Sequence, residues 1–208
     1  MKNPVKLIIF VGIALVLGYM LKDVVFNDKP YIAAIQKERK EKNRNFKMGS
    51  TSPLADSQKV HFDSLVYFLP DKDYVLTADL ELFENPETVQ MPLTDGKTES
   101  YLKYGKATFE LEDKEHSLVV FLKETPAEGQ QQQLFVPFTD QSNGFETYGG
   151  GRYLDVPMPA PNARYITLDF NKTYNPFCAY NAAYACPVPP KENRLEVKIL
   201  VGEKTYAK

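Results

Sequence analysis

The chain has 208 residues, 43% of them hydrophobic and 25% charged, with a formal net charge of -2. These proportions exclude a collagen-like, low-complexity or wholly disordered polymer, and the slightly acidic balance argues against a dedicated nucleic-acid partner. Two cysteines, two histidines and no tryptophan leave few groups for acid–base or metal chemistry near neutral pH.

Leu7 to Leu21 is an uncharged run of fifteen residues, with Lys2 and Lys6 before it. A helix of that length reaches only ~22 Å, short of a ~30 Å hydrocarbon core. The 22 residues from Val5 to Phe26 suffice if Lys6, Lys22 and Asp23 sit near the interfaces. The run ends Gly18-Tyr19-Met20-Leu21-Lys22-Asp23, without the small-residue pattern of a cleavage site. Residues 1–26 are therefore expected to form an uncleaved signal anchor, a single transmembrane helix. Basic residues lie on both sides of it, and those after it favour a cytoplasmic domain by the positive-inside rule. Short amino-terminal anchors of this design nevertheless export the domain attached to them, so the domain is expected on the extracytoplasmic, periplasmic side of the cell membrane.

Residues 27–55 read as a basic helical stalk and linker. Asp28 is placed to cap a helix with Pro30 in its first turn, running to about Asn45. From Lys29 to Lys47 there are seven basic and two acidic residues. That pattern suits a solvated stalk, or contact with anionic lipid headgroups. Gly49-Ser50-Thr51-Ser52-Pro53 then breaks the chain.

Residues 56–208 change to a period of two. Tyr74, Leu76, Ala78, Leu80 and Leu82 share one face of a predicted strand, with Thr77, Asp79 and Glu81 on the other. Leu118 to Leu122 reads as a central strand, and Leu134 to Phe138 as a strand whose Pro137 needs an edge or a bulge. Ile166, Leu168 and Phe170 alternate with polar neighbours, as do Leu195, Val197, Ile199 and Val201. Asp71-Lys72-Asp73, Asp95-Gly96, Asp113-Lys114 and Asn143-Gly144 mark turns. The prediction is a mainly β domain, a single antiparallel β-sandwich or partly open barrel, preceded by the membrane helix and the short basic helix.

The carboxy-terminal third holds three runs of uncommon tokens. They are Glu146-Thr147-Tyr148-Gly149-Gly150-Gly151-Arg152-Tyr153-Leu154-Asp155, then Leu168-Asp169-Phe170-Asn171 through Tyr174-Asn175-Pro176-Phe177-Cys178-Ala179-Tyr180-Asn181, then Cys186-Pro187-Val188-Pro189-Pro190-Lys191-Glu192-Asn193-Arg194-Leu195. In order and spacing they resemble the signature of the bacterial and archaeal domain of unknown function 1684. The resemblance extends more weakly upstream, through Tyr67-Phe68-Leu69-Pro70-Asp71 and Tyr101-Leu102-Lys103-Tyr104-Gly105, to cover roughly residues 31–203. It implies a mostly β fold and carries no assigned reaction. Longer relatives have a further β-rich module before this region, in place of which this chain has the short helix.

The triple glycine lacks the Lys-Ser/Thr of a phosphate-binding loop, so a turn or close backbone approach explains it better. Arg152 shares a strand face with Gly150 and Leu154. It needs a carboxylate there, with Glu146, Asp155 and Asp169 as candidates, or else it anchors an anionic ligand. Asp169, Asn171, Asn175 and Asn181 suit local turns. Together with Tyr148, Tyr153, Tyr174, Tyr180 and Tyr184 they also suit a polar-aromatic cleft. The candidate ligand-binding residues are thus Glu146, Arg152, Tyr153, Asp155, Asp169, Asn171, Tyr174 and Asn175.

Cys178 and Cys186 enclose seven residues. In an exported domain they are expected to form a disulfide, contributing ~2.6 kcal/mol on the chain-entropy estimate. His61 and His116 show no ligand spacing, so no metal and no cofactor are expected. The leading expectation is a membrane-anchored binding domain for a small ligand or an envelope protein. The alternatives are a hydrolase-like enzyme using Glu146, Asp155 or Asp169 as acid or base, and a purely structural domain.

Overall fold

The computed structural model describes residues 10–13, 16, 28–123 and 132–206. The expected membrane segment lies for the most part outside them, and no helix among the described residues is long and apolar enough to cross a membrane.

The basic segment folds as α1 (Lys29–Met48), with proline in its first turn. Asp28 stands at the cap position without a side-chain cap; its carboxylate pairs instead with Lys72 at 3.0 Å. The helix does not project as a solvated stalk. Tyr31, Ile35, Arg39, Lys42 and Phe46 recur every three or four residues and so share one face. That face lies on the β domain, with Ile35 and Phe46 buried at its two ends. Phe46 packs with Leu54, Phe62, Leu65 and Tyr180 in a small cluster below the short helix α2 (Asp56–His61).

Seven strands make one antiparallel sheet: β1 (Val75–Leu82), β2 (Thr88–Pro92), β3 (Thr98–Leu111), β4 (Lys114–Lys123), β5 (Gln133–Phe138), β6 (Arg152–Pro157) and β7 (Tyr165–Asp169). Their order is β6-β5-β4-β3-β1-β7, with β2 also paired to β3. The long β3 serves two partners: its first part pairs with β2 and its second with β1, and the register to β4 shifts between Lys103 and Gly105. Gly105 lets Glu81 approach there, since a Cβ would stand 2.6 Å from the Glu81 carbonyl oxygen. The sheet curls into a half-barrel, the open-barrel form of the prediction; no second sheet completes a sandwich among the described residues.

The core lies inside the curl. Ala78, Ala107, Leu118, Val120, Leu134, Val136, Leu154 and Leu168 face one another there, each larger aliphatic side chain contributing on the order of 1.5–3 kcal/mol by burial. A separate patch of Met91, Tyr101 and Phe121 covers the opposite face beneath β2.

Two predicted strands differ instructively from the structure. Leu195, Val197, Ile199 and Val201 are all buried and alternate as expected, yet residues 195–201 join no strand ladder. Pro137 lies in β5, an interior strand between β4 and β6. Its missing N–H costs nothing because the β4 pairing covers only Phe135 and Leu134 and has ended before Pro137. Beyond that point Asn193 fills the gap. Its amide nitrogen donates to the carbonyls of Val119 and Pro137, both at 2.8 Å, and its oxygen accepts from the Val119 amide at 2.7 Å.

The two edge strands are also joined. After β7 the chain makes a short turn at Phe170–Lys172, and Tyr174 exchanges backbone hydrogen bonds of 2.9 and 3.0 Å with Tyr153 in β6. The second sequence run thereby spans the mouth of the half-barrel, directly below α1.

Candidate functional site

Arg152 is fully buried, as is the side chain of Asp140, whose carboxylate it meets at 2.9 Å. Its remaining hydrogen bonds go to main chain: to the carbonyls of Val201 at 2.6 Å, Ile199 at 2.7 Å and Glu203 at 3.3 Å. These carbonyls lie two residues apart, on the same side of an extended segment. The guanidinium therefore takes the place of a neighbouring strand along one side of residues 199–203, while Leu195 and Val197 bond the backbone of Thr139 and Gln141 at 2.8 and 3.0 Å. Asp140 is fixed in turn by the amides of Ser142 at 2.8 Å and Ile199 at 3.3 Å. Burial lowers the arginine pKa, and Asp140 opposes that shift. Arg152 thus has a carboxylate partner, but none of the three expected acids, and no face open to a ligand. The glycines before it serve the same geometry: Gly151 has φ +88°, and a Cβ there would stand 2.6 Å from the Phe138 carbonyl oxygen.

The polar-aromatic cleft forms instead where α1 crosses the barrel mouth. Glu203, only 1% exposed, is the centre of that contact. Lys42 reaches one carboxylate oxygen at 2.8 Å; Asn175, at 3.0 Å, and the Tyr180 hydroxyl donate to the other. One helical turn away, Arg39 donates to the carbonyls of Phe68 at 2.8 Å and Asn171 at 3.3 Å, with its guanidinium 4.5 Å above the Tyr67 ring. Arg39 has no ion pair among the described residues, and its Nε and the Tyr67 hydroxyl are buried without partners. Burial lowers the Arg39 pKa and raises that of Tyr67.

A cleft of about 450 Å³ opens beside this contact, lined by Glu41, Lys42, Phe46, Pro53, Tyr174 and Phe177 among others. A smaller cavity of about 90 Å³ lies deeper, between Ile35, Arg39, Tyr67 and Thr173. Glu38, Lys42 and Tyr174 line both. The outer cleft offers flat apolar walls with a lysine and carboxylates at the rim, the composition of a small-molecule site.

The expected site residues are dispersed around this region. Tyr174 lines the cleft, and its hydroxyl donates to Asp155 at 2.8 Å. Asp169 accepts from the Tyr31 hydroxyl at 2.7 Å, so it anchors the start of α1. Asn171 is consumed structurally, exchanging hydrogen bonds with the backbone of Asp71 at 2.6 and 2.7 Å. Asn175 is buried under Glu203, and Tyr153 is buried with its hydroxyl on the Pro187 carbonyl. Glu146 pairs with Lys198 at 2.6 Å, which lowers its pKa. The three candidate acids are thus each bound to a different partner. Sequence reasoning passed over Arg39, Lys42, Phe46, Asp140 and Glu203; the four-four-three-four spacing of residues 31, 35, 39, 42 and 46 is the signal that could have found the helix face.

Cys178 and Cys186 are free thiols, so the expected disulfide is absent. The Cys186 sulfur turns to the backbone of its counterpart, accepting from the Cys178 amide at 3.1 Å. Neither histidine joins the site: His61 is exposed on α2, and His116 stacks on Phe109. Among the described residues no group of three or more His, Cys, Asp or Glu is placed to hold a metal ion.

A half-barrel closed by a buried arginine, with a helix docked across its mouth and a cleft beside that helix, defines a small β domain. Residues 60–204 match the family model described as "Protein of unknown function (DUF1684)", and the chain belongs to that family. It is also similar to the solution NMR structure of the uncharacterized protein from gene locus rrnAC0354 of Haloarcula marismortui, at 36% identity and a TM-score of 0.67, over 86% of this chain and 96% of that one. No curated protein matches.

Proposed function

We propose that this chain is a membrane-tethered, extracytoplasmic binding domain whose cleft between α1 and the Tyr174–Phe177 segment takes a small amphipathic molecule. The observation that carries the reading is the cleft itself, about 450 Å³ with Phe46, Tyr174 and Phe177 as walls and Lys42 held in place by buried Glu203. Binding is favoured over carboxylate catalysis because Glu146, Asp155 and Asp169 are each engaged by a separate donor. The tether rests on the apolar run Leu7 to Leu21 and its flanking lysines.

Two experiments test this reading. The full chain in a nanodisc is titrated with 8-anilinonaphthalene-1-sulfonate, an aromatic body with an anionic head, and followed by side-chain NMR. Shifts at Phe46, Tyr174 and Phe177 are expected, reduced several-fold by Phe177→Ala; shifts confined to other surfaces would refute the cleft. For the tether, a reporter fused after Lys208 should be active only outside the cytoplasm and should fractionate with membranes. Activity inside would reverse the orientation.

A further inference from the structure

Phe177, a wall of the cleft, is followed at once by Cys178 in a one-turn 3-10 helix, Phe177–Ala179. Cys178 is half-buried, whereas Cys186 is buried. The two are held in one small polar cluster. The Cys186 sulfur accepts from the Cys178 amide at 3.1 Å, and the Tyr148 hydroxyl lies 3.9 Å from the Cys178 sulfur. Cys186 is fixed to the turn after β2: its amide donates to the Thr94 hydroxyl at 3.1 Å, and its carbonyl accepts from the Thr94 amide at 3.0 Å. One thiol is therefore reachable from solvent with hydrogen-bond donors around it, and the second is clamped behind it.

We propose that Cys178 and Cys186 form a thiol–disulfide exchange site for low-molecular-weight disulfides of the glutathione class, with Cys178 as the attacking sulfur and Cys186 as the resolving one. In the first step the Cys178 thiolate attacks one sulfur of the disulfide. A mixed disulfide forms, the S–S bond of the reagent breaks, and one thiolate leaves. In the second step Cys186, after losing its proton to solvent, attacks the Cys178 sulfur and expels the remaining glutathione as thiolate. The protein loses two protons and two electrons, and the reagent is reduced to two thiols. The second step requires the Cys186 sulfur to swing from the Cys178 amide toward the Cys178 sulfur, a side-chain rotation.

The asymmetry is supported electrostatically. The hydrogen bond with Cys186, helped by Tyr148 and Thr94 and opposed by burial, brings the Cys178 thiol down from 9.0 to about 6, while the same contact and burial push Cys186 up. The other titratable groups acting on the pair, Tyr153 and Tyr101, are neutral at pH 7 because burial raises both. At pH 7 such a thiol is mostly thiolate, whereas an ordinary cysteine is mostly protonated. The lower basicity takes back part of that advantage in attack rate.

The site does not depend on what the cleft binds. Reduced full-length protein in detergent is treated with oxidised glutathione at pH 7 and weighed intact. Wild type is expected to become two hydrogens lighter, Cys186→Ser to gain one glutathione at Cys178, and Cys178→Ser to stay unmodified. A brief iodoacetamide pulse on wild type should label Cys178 before Cys186, with a rate midpoint near pH 6, and Tyr148→Phe should move that midpoint up. The pulse does not depend on whether either serine variant folds. A wild-type chain that stays unmodified while its urea-unfolded form reacts, or equal labelling of the two cysteines in the folded protein, overturns the proposal.

Discussion

Replacing Arg152 by Met keeps most of the side-chain volume and deletes the guanidinium. The structure then leaves Asp140 buried, with its charge facing only the amides of Ser142 and Ile199. The carbonyls of Ile199 and Val201 lose their donor, as does the more distant carbonyl of Glu203. An uncompensated buried charge costs about 3–5 kcal/mol, and each orphaned buried carbonyl about 1–3 kcal/mol. These terms do not add fully, because water enters the defect, so a loss of about 5 kcal/mol is expected. That equals the lower end of ordinary domain stabilities, about 5–15 kcal/mol, and corresponds to a Tm lower by about 10–20 °C. Urea unfolding followed by far-ultraviolet circular dichroism measures it. Arg152→Met combined with Asp140→Leu should recover about 2 kcal/mol, since the lone carboxylate is gone while the carbonyls remain unpaired. A single-variant loss under about 1 kcal/mol would refute the view that Arg152 stands in for a strand.

Asn193→Ala removes the bridge between β4 and β5 at Pro137 and should cost about 2–4 kcal/mol, with much faster hydrogen exchange at the Val119 amide. Lys42→Met leaves Glu203 with only Asn175 and Tyr180 as donors. It should loosen α1, read as accelerated tryptic cleavage after Lys37, Arg39 and Lys40 while the sheet stays protected. Glu99 has a pKa below its ordinary 4.5 because hydrogen bonds from Lys123 and Tyr101 outweigh the effect of burial. A carboxylate with a lowered folded value contributes stability that is present above pH 4.5 and disappears as pH falls through that lower value. Lys123→Met should therefore flatten the acid limb of the stability curve, and unchanged limbs would contradict the pairing.

The strands were legible because a half-buried antiparallel sheet writes its two faces into alternate residues. Ala78 and Leu80, Ile166 and Leu168, and Leu195 to Val201 are buried where the period of two places them. Alternation reports which side chains go inward, however, and not what the backbone bonds to. The 195–201 segment has a strand's pattern with an arginine from β6 and the irregular backbone of Thr139 and Gln141 as its neighbours, and no local signal marks that difference. Pro137 reads as an edge residue for the same reason: its tolerance depends on where β4 stops and on Asn193, 56 residues away.

The cleft was hidden by a different ambiguity. Lysine and arginine in a helix of seven cations ordinarily face water, and the apolar residues bunch at its start, from Tyr31 to Ile35, with Phe46 eleven residues beyond. Between them Arg39 and Lys42 point inward because the barrel mouth presents what a cation needs. Glu203 is buried there, and the Phe68 and Asn171 carbonyls have no strand to receive. That match can be recognised only once the sheet has brought residues 68, 171 and 203 together. The arginine in the signature run was the more visible candidate, yet its guanidinium is fully buried on a carboxylate and three carbonyls, with no face open to a ligand. Arg39, held by two carbonyls and the Tyr67 ring, with Asp169 and Glu203 near enough to favour its charge, instead helps to seat the helix on the barrel mouth.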